Sequence, residues 1–254
     1  MDWTAISALP RTPLKALFEA EADRLSRLSV DVAGLHFDFS KTHLSRAALA
    51  AFAGGEAALV KARDALFAGA IVNVSEGRPA EHVAERGEGA PESVARAKAL
   101  HARMRALIDA IEGGALGPIR HVLHIGIGGS ALGPDLLVDA LGRDAGRYDV
   151  AVVSNVDGCA LEEAFARFDP AATLIAVASK TFTTTETLLN AGSALQWLED
   201  DGVEDVMGRV VALTAAPEKA IAWGVDETRV LPFSEGVGGR YSLWSSIGFP
   251  AALA

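Results

Sequence analysis

The chain has 254 residues, half of them hydrophobic and 22 % charged, an ordinary globular balance with length for one large domain or a domain plus an accessory layer. A formal net charge of −10 argues against a nucleic-acid surface, which needs a basic footprint, and any anion bound here must be held by local donors against the global field. The one cysteine, Cys159, excludes an internal disulfide, and no run approaches the ~18 apolar residues of a membrane span.

The N-terminus MDWTAISALPRTPLKALF lacks a basic segment followed by a long apolar core, so no signal peptide and a cytoplasmic location are expected. Residues 11–28 carry Leu14, Leu17, Phe18, Ala22, Leu25 and Leu28 at helical spacing. VAGLHFDFSKTHLS alternates and reads as an extended strip with Leu35, Phe37 and Phe39 on one side. Helical patterns follow near Ser45–Ala53 and Glu56–Phe67. Ala70–Ala90 is polar and Gly-rich and reads as a loop, with Asn73, Ser75, Glu76 and Arg78 forming a structural tie. Pro91 and Glu92 open a long helix with Val94, Ala97, His101, Met104, Leu107, Ile108 and Ile111 on one face, ended by Gly113-Gly114. A layer boundary is placed near Gly117-Pro118, dividing a mostly helical segment, 1–117, from a sheet domain, 118–254.

Beyond that boundary, short apolar runs alternate with helical patterns. The runs are Val122–Ile127, Val150–Ser154, Thr173–Ala178, Val210–Thr214 and Arg229–Leu231, and helices are predicted near 131–141, 160–167, 184–199 and 216–223. This alternation predicts an α/β fold, a parallel sheet with helices on both faces, preceded by an N-terminal helical layer. Ligands of such sheets sit beyond the carboxyl ends of the strands.

Three stretches at predicted strand ends carry the chemistry. HVLHIGIGGSALGP, His121–Pro134, places Gly126, Gly128, Gly129 and Ser130 between a strand and a helix, where backbone amides and the helix dipole favour an anion. ASKTFTTTE, Ala178–Glu186, packs one serine, four threonines and Lys180 into nine residues, a hydroxyl density suited to a phosphate dianion. Here Thr183 with Glu186 also fits a capping box, in which Thr183 caps the next helix. GVGGRYSLWSSIG, Gly236–Gly248, holds Arg240 after Gly238-Gly239; the arginine either contacts a substrate or forms a surface salt bridge. Tyr241, Leu243 and Trp244 are expected in the core.

Other motifs fail. Gly126-x-Gly128-x-x-Ala131 fits a relaxed dinucleotide fingerprint, but the strand Val150–Ser154 ends in Asn155 rather than an acidic residue, and the hydroxyl loop would be left unexplained. There is no G-K-[ST] and no G-x-S-x-G. The six histidines show no metal-ligand spacing, and His121 and His124 suit core or sheet-end positions. Cys159 reads as a small residue in a turn after Asp157-Gly158.

Together HIGIGGSALGP, ASKTFTTTET and GVGGRYSLWSSIG, in this order and spacing, resemble the glucose-6-phosphate isomerase (phosphoglucose isomerase) family. DFSKTHL near Asp38 and NVSEGRPAEHVA near Asn73 resemble its N-terminal region, with a departure at Pro79–Glu81, where the family is more apolar. The resemblance implies a sugar-isomerase (SIS) sheet domain, with the family's second SIS domain absent from this chain. It implies that Ser130, Ser179, Lys180, Thr181 and Thr184 hold a substrate phosphate, that Gly129 and Gly239 shape turns, and that Arg240 stabilises an enediolate. The implied reaction interconverts glucose 6-phosphate and fructose 6-phosphate with no metal or organic cofactor, in a homodimer when full length. The family's general base, a glutamate, and the histidine and lysine of ring opening lie further along than Ala254, so this chain is expected to be an N-terminal half, inactive alone. An alternative of another class is a non-catalytic SIS-type module that senses a sugar phosphate; a dinucleotide-dependent oxidoreductase is a third.

Overall fold

Two compact units, Met1–Asp64 and Ala65–Ala254, divide the computed structural model, which describes residues 3–53, 55–142 and 146–254. The first unit contains α1 (Trp3–Ser7), α2 (Leu14–Ala20), α3 (Arg24–Arg27), the antiparallel pair β1 (Ser29–Val32) and β2 (Leu35–Asp38), and α4 (Arg46–Phe52). α5 (Glu56–Phe67) spans the division.

The helical spacing over 11–28 does not give one helix. It breaks at Glu21–Asp23, because the Glu21 carboxylate turns inward to Arg24. Arg24 is fully buried and donates to the carbonyls of Ser40 (2.8 Å) and Leu44 (2.9 Å) and to Glu21 (2.8 Å). The alternating strip is a hairpin whose two-residue turn, Ala33-Gly34, has φ of 51° and 78°, as the twist of paired strands requires. Ser45 caps α4 by accepting the Ala48 N–H at 3.1 Å.

The second unit is built on α6 (Pro91–Glu112) and a five-stranded parallel sheet: β3 (His121–Gly126), β4 (Asp149–Val153), β5 (Thr173–Ala178), β6 (Val210–Thr214) and β7 (Val230–Pro232). Between and after the strands lie α7 (Leu132–Leu137), α8 (Gly158–Arg167), α9 (Thr185–Asp200), α10 (Pro217–Trp223) and α11 (Phe249–Leu253). The spatial order is β4-β3-β5-β6-β7, and every neighbouring pair is parallel.

Alternate residues of each strand feed two cores, as the two-residue period of a strand dictates. Leu123, Ile125, Ile175, Val177, Val210 and Ala212 pack with Leu161, Ala164, Ala191, Ala194, Leu198 and Ala220 of α8, α9 and α10. Val122, Leu174, Ala176, Val211, Leu213 and Leu231 pack with Leu107, Ile108 and Ile111 of α6 and with Phe249 and Leu253 of α11. The short strand β7 forms one margin of the sheet. Its carbonyls are met from outside the ladder: Arg103 Nε donates to Val230 O, and Ser246 Oγ donates to Leu231 O and Pro232 O, each at 3.0 Å.

Candidate functional site

From β3 the chain leaves for β4 on one side, while β5 lies on the other, so the connections diverge between β3 and β5. In an open α/β sheet that divergence opens a crevice at the carboxyl ends of the two strands. Gly126 stands opposite Ala178 there, and the two candidate anion-binding stretches start from these neighbouring positions.

After β3, residues Gly128–Ser130 form a single tight turn, with Gly128 at φ 58°. Buried His124 donates from Nε2 to the Ser130 carbonyl at 2.7 Å and so folds the turn back on its own strand. Burial pushes the His124 pKa down to about 4, against the opposing effect of the Ser130 bond, so the ring is neutral. Among the described residues no hydrogen bond occupies the Ser130 hydroxyl.

After β5, the Ser179 N–H donates to Leu213 O at 3.1 Å and the Lys180 carbonyl accepts from Ala215 N–H at 3.0 Å, which fixes the loop to the end of β6. Phe182 has φ 50° and is buried, its ring edge-on to Trp223 at 5.8 Å. That packing holds a residue in a conformation bulky side chains avoid. Ser179 and Thr184 share a hydroxyl bond of 3.0 Å, and Thr181 and Thr183 one of 2.8 Å. The Thr183–Glu186 capping box does not form. α9 begins at Thr185, Thr184 is its cap residue without a side-chain cap bond, and Thr183 is turned to Thr181. The first turn of a 16-residue helix is therefore left with no side-chain cap beneath a cluster of hydroxyls.

The Lys180 ammonium is held by groups other than the loop's hydroxyls. It donates to Glu235 O at 2.8 Å and lies 3.9 Å from the Glu76 carboxylate. Glu76 and Arg78 belong to the predicted tie. Asn73 bridges Arg78 across it, and Ser75 Oγ donates to Asn73 Oδ1 at 2.9 Å. Sequence reasoning did not connect this tie to Lys180, because no spacing signal links segments so far apart.

The third stretch forms a 3-10 turn, Gly239–Trp244. It packs directly on the Gly128–Ser130 turn: Ser242 Oγ donates to Gly239 O at 2.6 Å and lies 3.2 Å from Gly129 O. Gly128, Gly129, Leu132, Gly133, Gly239, Arg240 and Leu243 line one cleft of about 440 Å³. Arg240 is exposed and has no ion pair among the described residues, so the surface salt bridge does not form. Tyr241 and Trp244 are not core residues; they are 54 % and 49 % exposed, because Ser242 and Ser245 take the inward positions of this turn. Leu243 is half-buried against Gly133. His121, at the sheet end, stacks on Phe168 at 4.7 Å. Cys159 lies in the first turn of α8, exposed, its N–H donating to Asp157 at 3.0 Å. Among the described residues no cluster of three or more His, Cys, Asp or Glu side chains could hold a metal ion, and no helix is long and apolar enough to cross a membrane.

This architecture is that of a SIS-type α/β protein. It matches the crystal structure of a glucose-6-phosphate isomerase from Chlamydia trachomatis with a TM-score of 0.81 at 26 % identity, over 99 % of this chain and 51 % of that one. The phosphoglucose isomerase family model matches residues 38–254, and the chain belongs to that family. It is 71 % identical to a glucose-6-phosphate isomerase of Rhizorhabdus wittichii and 63 % identical to one of Zymomonas mobilis, in each case over 99 % of this chain. The chain spans about half the length of these relatives, 51 % and 50 %.

Proposed function

We propose that this chain is the phosphate-binding part of an aldose–ketose isomerase that interconverts glucose 6-phosphate and fructose 6-phosphate through a cis-enediol. The observation that carries the reading is the convergence of the Gly128–Ser130 turn with the Gly239–Trp244 turn at the crevice between β3 and β5, with the hydroxyl loop rising from the adjacent strand. The phosphate sits at the uncapped start of α9, receiving hydrogen bonds from the hydroxyls of Ser130, Ser179, Thr181 and Thr184 and from the amides of Gly129, Lys180 and Thr181. The Lys180 side chain steadies the loop through Glu235 and leaves the backbone to face the ligand. Anchoring the remote phosphate orients the reacting carbons.

Arg240, exposed beside the Gly129 turn, faces the sugar end. As a base removes the C2 proton, negative charge grows on the oxygen at C1, and the guanidinium stabilises it before the proton returns to C1. That base is a carboxylate outside these residues, as are the groups that open the ring. This chain alone is expected to bind without turnover. The intact protein works as a cytoplasmic homodimer in glycolysis and gluconeogenesis.

Calorimetric titration tests the reading. The intact protein binds fructose 6-phosphate and does not bind fructose. Ser130→Ala weakens the phosphate ester about tenfold or more, the loss of one hydrogen bond to a charged group worth roughly 1.5–3 kcal/mol. Arg240→Ala leaves that affinity nearly unchanged and lowers kcat at least a hundredfold, a scale set by the removal of one oxyanion donor, roughly 10²–10³. Equal affinity for fructose and its 6-phosphate overturns the proposal.

A further inference from the structure

The segment Ser234–Val237, between β7 and the Arg240 turn, is held from two sides. On one side is Lys180, bonded to the Glu235 carbonyl at 2.8 Å. On the other is Glu81, with a side chain nine-tenths buried. Its backbone N–H donates to Gly236 O at 2.9 Å. One carboxylate oxygen accepts from the Ser234 hydroxyl, and Ser234 Oγ in turn accepts from Gly236 N–H at 3.2 Å. The other oxygen accepts from Ser93 Oγ and from the Arg96 guanidinium, each at 2.6 Å, both on α6. Position 236 has no room for a side chain, since a Cβ there would fall 2.5 Å from the Glu81 carboxylate. Burial pushes the Glu81 carboxyl up, but the two hydroxyls and the Arg96 charge outweigh it and hold it below the ordinary carboxylate value.

We infer that Glu81 is a positioning residue for Arg240. It moors the Ser234–Gly236 segment to α6 and thereby sets where the Gly239–Arg240 turn stands over Gly129. The path from the moored segment to the turn is short and packed: Val237 is fully buried with its N–H on Ser234 O at 3.0 Å, and the Tyr241 N–H donates to Gly238 O at 2.9 Å. The side-chain hydrogen bonds, ion pair and backbone N–H of Glu81 go to Ser93, Arg96, Ser234 and Gly236, none of which lines the cleft, so it acts through this segment.

The inference rests on the proposed role of Arg240, and the test separates the two. In the intact protein, Glu81→Leu lowers kcat for fructose 6-phosphate at least tenfold and changes KM and the inhibition constant of inorganic phosphate less than threefold, because the phosphate turns keep their own contacts. Glu81→Gln, which keeps the shape and one acceptor oxygen, recovers most of the loss. In an Arg240→Ala background Glu81→Leu adds less than twofold, since the group it positions is gone. Should Glu81→Leu not fold, Ser234→Ala removes one tie and is read the same way, with a threefold or larger fall in kcat. A fall in kcat that persists undiminished in the Arg240→Ala background overturns the inference, as does normal kcat in both Glu81→Leu and Ser234→Ala. Normal turnover of Arg240→Ala itself overturns the proposed function and this inference with it.

Discussion

A methyl group on Gly129 would fall against the carbonyl of Gly239 and 2.7 Å from the Arg240 nitrogen, with only backbone around it to move. Gly129→Ala must therefore push the Gly239–Trp244 turn away from the Gly128–Ser130 turn. Overpacking of this kind costs about 1–3 kcal/mol. The expected result is a lower midpoint in urea together with weaker binding of fructose 6-phosphate; a variant with unchanged midpoint and affinity would show that the two turns do not depend on their contact. Lys180 makes the opposite point about single residues. Its position in a hydroxyl-rich loop marked it in the sequence as a charge for the phosphate; in the structure its ammonium donates to the Glu235 carbonyl and lies 3.9 Å from the Glu76 carboxylate. Residue type and spacing point to a candidate segment for a ligand. They do not show which atom of each residue is aimed at it.

At the scale of elements, β3 to β7 were legible to within a residue or so, because the central strands, buried on both faces, and the half-buried β4 leave contiguous apolar runs. The long α6 was legible from its Pro91 start, its repeating apolar face and its Gly113-Gly114 stop. The break between α2 and α3 was not, because its cause is a charge turned inward. Burial raises the Glu21 carboxyl, while the Arg46 N–H, the Arg24 side chain and the Arg27 charge hold it lower overall. Arg24 closes this arrangement by tying α3 to the carbonyls of Ser40, Thr42 and Leu44. Arg24→Met strands those carbonyls and half-empties the Glu21 site, and removal of one partner from a buried pair costs about 3–5 kcal/mol. Denaturant titration checks it, and a loss below 1 kcal/mol would contradict the account. The same long-range character hid Glu81, whose partners Ser93, Arg96 and Ser234 lie on other segments, and the exposed faces of Tyr241 and Trp244, which apolarity alone assigned to the core.

For the molecule as a whole, acid weakens the fold through groups whose pKa values lie below their ordinary ones. His124 takes a proton at pH 6.5 in the unfolded chain but only near pH 4 when buried on β3. The unfolded state therefore binds the extra proton first as pH falls. Stability is at its full value above pH 6.5 and declines to pH 4, by about 3 kcal/mol over that window. Glu21, Asp23 and Glu81, all held below their ordinary values, add further losses as pH falls through the carboxylate range. Urea midpoints measured from pH 8 to pH 4 should drop, and His124→Asn should make the curve shallower between pH 6.5 and pH 4, with a residual slope from His82 and His121, which burial also shifts down. A wild-type midpoint independent of pH across that interval would show that His124 is not neutral inside the sheet.

Where the sheet stops, at β7, it stops for a chemical reason. Strand margins invite other strands because their carbonyls and amides stand unpaired. Here the carbonyls of Val230, Leu231 and Pro232 are already spoken for by Arg103 and Ser246, and Pro232 has no amide hydrogen to give. Neighbouring molecules in a crowded solution find no template along that side, so growth of the ladder into a fibre is blocked at its outer row by two side chains and one ring.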